Sequence, residues 1–212
     1  MFKYILILFL FSQQIYATVG QEIGNGGGFA RCADGKYYSY DYILSAKSSF
    51  GSIQTGLNLN QRLQQISKNL HRLNEPLVKE FDEYMYLLFQ QIPKSKFQWL
   101  PQQNLQMVWD PDLDRQLPLQ CKTRKQAVVF MSGGAQLPYV GYYFDPVIIQ
   151  QVRSQPEGDL QVSFLSVHEW LWNYFLRPNF LKLAYFNRLL HSDKLGSMTQ
   201  QEYLELRKEF LR

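Results

Sequence analysis

From Leu59 onward, apolar residues recur at Leu63, Ile66, Leu70, Leu73 and Leu77, in steps of four and three. That spacing lines one face of an α-helix. Pro76 interrupts the pattern, and Asn74 can cap a new helix with Pro76 in its first turn. Two helices are therefore predicted, over 58–73 and 75–91, with one kinked helix as the alternative. His71 falls beside this stripe, on the solvent side.

Other stretches carry the signals of strands. FARC and KYYSY flank Ala-Asp-Gly, a tight-turn sequence, and predict a hairpin over 29–40. LQMVW at 105–109 and QAVVFM at 126–131 read as strands from their β-branched and aromatic content. YVGYYFD at 139–145 returns as the partner of the second of these. Residues 45–56 and 92–104 read as loops. DPDLD starts like a calcium loop, but Arg115 stands where that loop needs Gly and Cys121 where it needs Glu, so a solvated turn is expected.

Helices close the chain: a short one from Pro146 to 153, a long one over 160–176 and a third over 179–191. The last opens at Thr199, where Thr-Gln-Gln-Glu forms a capping box with Glu202. It places Tyr203, Leu206 and Phe210 on one face. Few strands among long helices predict an α+β fold with a small antiparallel sheet.

The N-terminus changes the compartment. Lys3 precedes the apolar run 4–11, and a short polar stretch ends at Ala17. This is the pattern of a secretory signal peptide, too short for a permanent bilayer anchor. Cleavage is expected after Ala17, which divides the chain into a signal peptide (1–17), a flexible glycine-rich arm (18–28) and one α+β domain (29–212). The Gly24–Gly28 run lacks the spacing of a phosphate loop. The expected destination is periplasmic or secreted, with no transmembrane anchor after cleavage. Cys32 and Cys121 are the two cysteines, and an even pair in an oxidising compartment predicts a disulfide. The net charge of +4 is spread among mixed signs, which argues against a nucleic-acid partner.

Candidate chemistry lies in SVHEWLWNYF, 166–175. Phe164, Leu165, His168, Leu171, Trp172 and Phe175 share one helix face, so His168 is expected to face the core. A buried imidazole either satisfies its nitrogens by hydrogen bonds or binds a metal. Glu169 is placed at the border of that face, beside Ser166 and Asn173. His-Glu opens the zinc-peptidase motif H-E-x-x-H, in which two histidines hold zinc and the Glu activates water. Here the fourth position after His168 is Trp172, whose indole donates but cannot ligate. His168 and His191 are the candidate metal ligands, zinc the candidate cofactor, and Glu169 the candidate catalytic residue.

Several short features occur in a recognisable order: GNGG before Cys32, LPLQC with Gln126 following, YYFDP, the VHE of 167–169, and NRLLHS. In this order the chain resembles a family of secreted proteins from predatory Gram-negative bacteria that has no established activity. The strand followed by a His-Glu helix is also similar to the core of zincin metallopeptidases. The resemblance implies a zincin-like core, with His168 and Glu169 as site residues and Cys32 and Cys121 as a pair. Three functions compete on this reading. One is an exported zincin-like domain with an incomplete H-E-x-x-H motif, non-catalytic or with an atypical site. The second is an active metal-dependent hydrolase or peptidase. The third is an interaction module with a protein partner in the envelope or outside the cell.

Overall fold

A computed structural model of the protein describes residues 22–24, 27–48, 50–73, 75–107, 111–121, 123–132, 139–174 and 179–210. The expected signal peptide lies outside them. In chain order the elements are β1 (Glu22–Gly24), β2 (Gly28–Arg31), β3 (Tyr37–Ser39), α1 (Tyr40–Leu44), α2 (Leu59–Leu73), α3 (Glu75–Tyr86), β4 (Phe97–Pro101), α4 (Pro111–Gln116), β5 (Thr123–Gln126), β6 (Val128–Ser132), β7 (Val140–Phe144), α5 (Pro146–Arg153), α6 (Gly158–Tyr174), α7 (Phe180–His191), α8 (Lys194–Ser197) and α9 (Gln200–Phe210). The fold is α+β.

The strands form two sheets. One is β3-β2-β5, antiparallel throughout; the other is β1-β6-β7-β4, in which β4 runs parallel to β7. The single small antiparallel sheet expected from sequence is thus corrected to two sheets, the larger of them mixed. β4 occupies a segment that its prolines had marked as loop. Phe97 and Trp99 alternate inward and are fully buried, and Pro101 sits at the strand's end, where a missing N–H costs least. The strand expected at 105–109 is absent over 105–107, and the rest of it lies outside the described residues. Trp99 and Tyr142 are register partners across β4 and β7, and their rings stack at 4.8 Å. Tyr84, Phe89, Phe97 and Phe144 close an aromatic cluster around them.

Capping chemistry fixes several helix starts. Asp145 accepts from the N–H groups of Val147 and Ile148 at the start of α5, with Pro146 in its first turn. Asn179 caps α7, and Thr199 with Glu202 forms the expected capping box of α9. Two local readings change. Pro111–Gln116 is a short helix where a turn was expected, and it buries Leu113. Tyr40 leaves the predicted hairpin and begins α1, because the Ser39 hydroxyl accepts from the Tyr42 N–H and caps a helix there.

Helix α6 runs through the middle of the molecule. Every residue from Leu160 to Leu171 is buried, and α1, α2, α5, α7 and β3 all pack on it. Its carbonyl at Ser166 accepts from the Tyr84 hydroxyl at 2.8 Å, and Gln161 accepts from the Ser39 N–H at 3.0 Å. Cys32 and Cys121 form a disulfide, which ties the end of β2 to the segment before β5. Among the described residues no helix is long and apolar enough to cross a membrane.

Candidate functional site

Four short stretches converge on one end of α6. His168 and Glu169 come from α6 itself, Asp41 from α1, Asn187 from α7, and Gly27 from the residues just before β2. Asp41 and Glu169 are carboxylates with 1 % and 0 % exposure, and His168 has 2 %. Glu169 is therefore not at the border of the apolar face. Partners surround α6 on all sides, so its polar face is as dry as its apolar one.

Asp41 Oδ1 lies 2.9 Å from His168 Nδ1. An ionised carboxylate only accepts, so Nδ1 carries the hydrogen of this bond. Asn187 Nδ2 donates to Asp41 Oδ2 at 2.6 Å and to the Phe164 carbonyl at 2.8 Å, which holds the carboxylate in place. The Gly27 N–H donates to Glu169 Oε1. His168 Nε2, Glu169 Oε2 and Asn187 Oδ1 are buried without hydrogen-bond partners among the described residues.

The electrostatics follow from this burial. Desolvation pushes the Glu169 carboxyl up to about 7, against the opposing pull of His168 and the Gly27 N–H. For His168, desolvation disfavours the charged ring, but the charge and hydrogen bond of Asp41, together with Glu169, outweigh it and leave the pKa raised. A carboxyl poised near neutrality beside an imidazole oriented by a second carboxylate can both give and take protons. Asp41 fixes the tautomer, so the lone pair of the neutral ring sits on Nε2.

His191 is close by but belongs to a different set of bonds. Its Nδ1 lies 2.9 Å from the Asn187 carbonyl and its Nε2 lies 2.9 Å from the Ser163 hydroxyl. The ring stacks on Phe164 at 3.9 Å, and burial lowers its pKa to about 3. Both nitrogens are engaged, so His191 offers no lone pair toward His168. Trp172 occupies the position of the second motif histidine and stacks on His168 at 5.8 Å. Among the described residues no three His, Cys, Asp or Glu side chains come together to hold a metal ion. The residues present do not fit the zinc site that the motif implies. His71 is exposed.

Sequence reasoning found His168 and Glu169 but missed Asp41, Asn187 and Gly27. Asp41 had a signal, a lone acid among the aromatics of YSYDYIL, two residues after a Ser able to cap. Gly27 and Asn187 fall within the GNGG and NRLLHS features, but neither carries a visible role there, since each acts through a contact distant in sequence. Comparison with protein families, with curated proteins and with solved structures finds no match to this chain.

Proposed function

We propose that the chain is an exported zincin-like domain whose incomplete H-E-x-x-H motif carries an atypical, metal-independent acid–base centre. His168 is its base, Glu169 its proton donor and acceptor, and Asp41 and Asn187 orient the imidazole. One observation carries this reading. Among the described residues, His168 and Glu169 each have one satisfied polar atom and one buried atom without a partner. Most buried polar atoms in a folded protein are paired, because each orphan costs about 1–3 kcal/mol. Orphans paired with shifted protonation are typical of sites arranged for chemistry. Export rests on the N-terminal pattern of residues 1–17 and agrees with the Cys32–Cys121 disulfide. A mature chain beginning at Thr18 is its direct check.

The alternative is a metal-dependent hydrolase. It is favoured by the Asp41–His168 bond, since metal-ligating histidines commonly carry a carboxylate on their other nitrogen. Metal content and melting temperature decide between the two. On the acid–base reading, purified protein holds no stoichiometric zinc and a chelator leaves its melting temperature unchanged. A 1:1 zinc ion, whose removal lowers the melting temperature and whose return restores it, overturns that reading in favour of the hydrolase.

A further inference from the structure

We propose that the cleft between α2 and α3 is a binding site for a neutral saccharide. Leu73 ends α2 and Glu75 begins α3, and the two helices double back on each other. Their far ends wall a cleft of about 490 Å³, within the range of about 300–1,000 Å³ usual for small-molecule sites. None of its lining residues belongs to the His168–Glu169 network. α2 commits Leu59, Leu63, Ile66, Leu70 and Leu73 to the core. The row beside that stripe, Asn60, Gln64 and Lys68 at steps of four, is exposed and forms one wall. Asp82 and Tyr86, again four apart and exposed, form the other. Leu63 and Met85 supply an apolar floor.

This lining suits a ring that carries hydroxyls. A sugar hydroxyl both donates and accepts, and so does an amide side chain. Asn60 and Gln64 bring two amides, Asp82 adds acceptors and Lys68 adds donors. Among the described residues none of these four side chains, nor the Tyr86 hydroxyl, makes a hydrogen bond or ion pair. α2 holds no acidic residue, so Lys68 has no carboxylate on its own helix. Lys68 and Asp82 stand on opposite walls, and their charges sum to zero. A strongly charged ligand would be drawn to one wall and repelled by the other, whereas a neutral polyol meets no such conflict. Tyr86 supplies the apolar half of the recognition. It is 70 % exposed, while Phe81 and Tyr84 of the same helix are fully buried. A ring standing open at the rim of a cleft offers its face to the C–H face of a pyranose and its hydroxyl to a polar partner.

Saturation-transfer NMR on the full mature chain, with cellotetraose, maltotetraose and chitotetraose as probes, tests the site. Transfer to the ring protons of at least one of these neutral oligosaccharides is expected. Its affinity, read by titration, should be insensitive to added salt, since no net charge drives the binding. Tyr86→Ala should weaken that binding at least about tenfold. Gln64→Leu, which removes an amide and keeps the bulk, should weaken it as well. Both residues are exposed, so both variants should fold, and an unchanged melting temperature checks this. Leu119→Ala removes an exposed apolar side chain outside the cleft and should bind as the natural chain does. No transfer to any of the three probes overturns the assignment, as does an affinity that either cleft variant leaves untouched or that Leu119→Ala lowers equally. Binding that falls steeply with salt overturns it in favour of a charged ligand.

Discussion

Glu169→Gln separates a centre arranged for chemistry from one that serves the fold. The amide keeps the oxygen that accepts the Gly27 N–H but cannot ionise. In the natural chain burial carries the carboxyl from 4.5 up to about 7. Between those values the folded protein holds a proton that the unfolded chain has released. The stability this group contributes is therefore full below 4.5 and is lost as pH rises through 7. The difference corresponds to about 3 kcal/mol. His168, also raised, acts in the same direction above its ordinary value. His191 acts in the opposite one: its pKa of about 3 against 6.5 means stability present above 6.5 and lost as pH falls toward 3. Between 4.5 and 6.5 the slopes from Glu169 and His191 cancel, so the natural chain should show a plateau there and fall away on both sides.

The variant removes the Glu169 slope. Its stability should rise with pH across the former plateau and exceed that of the natural chain above 7 by up to about 3 kcal/mol. Below 4.5 the two proteins should lie within about 1 kcal/mol of each other. Urea denaturation at a series of pH values, from below 4.5 to above 7, supplies the comparison. Parallel curves, or a variant less stable than the natural chain above 7, would refute the reasoning and make Glu169 an ordinary structural acceptor for Gly27.

Replacing Asp41 by Asn removes the charge that raises His168, so the His168 titration followed by NMR should move to lower pH; an unchanged titration would dissociate the pair. Replacing Cys32 and Cys121 together by Ser opens a link across a sequence separation of 89 and should cost about 4–5 kcal/mol in the chain-entropy picture, read as a lower denaturant midpoint. Trp99→Ala empties the centre of the aromatic cluster between β4 and β7, and a loss of about 3–5 kcal/mol is expected in the same assay.

The helices were legible because their stripes are local. The steps of four and three from Leu59 mark α2 and α3, and Leu59, Leu63, Ile66, Leu70, Leu73 and Leu77 are all buried. Asp145-Pro146 and the Thr199 capping box mark helix starts through contacts within four residues. Strand β4 was not legible. Its prolines speak against a strand, and its pairing with β7 joins residues about forty positions apart, which no local pattern announces. The same distance effect split the sheet: residues 126–131 read as one strand, yet Ala127 breaks the run and sends β5 and β6 into different sheets. There the two backbone N–H groups of Ala127 and Val128 turn to the Gly27 carbonyl.

The site repeats this division. A helical period shows which face of α6 a side chain occupies, but it cannot show that both faces are covered. That is why Glu169 was placed at a border and stands in a dry interior. Spacing on one helix likewise directs attention to Trp172, which stands where a second ligand is due, and leaves His191 at the end of the next helix as the candidate partner of His168. The partner is Asp41, 127 residues away and brought in by a five-residue helix that the hairpin reading had overlooked. The consequence for chemistry is direct. With Asp41 on Nδ1 and Asn187 behind Asp41, the imidazole is oriented without a second ligand histidine, and Trp172 supplies a stacking wall in its place. The His168 imidazole is thus held beside the Glu169 carboxyl by a carboxylate and an amide, with the Gly27 N–H on Glu169.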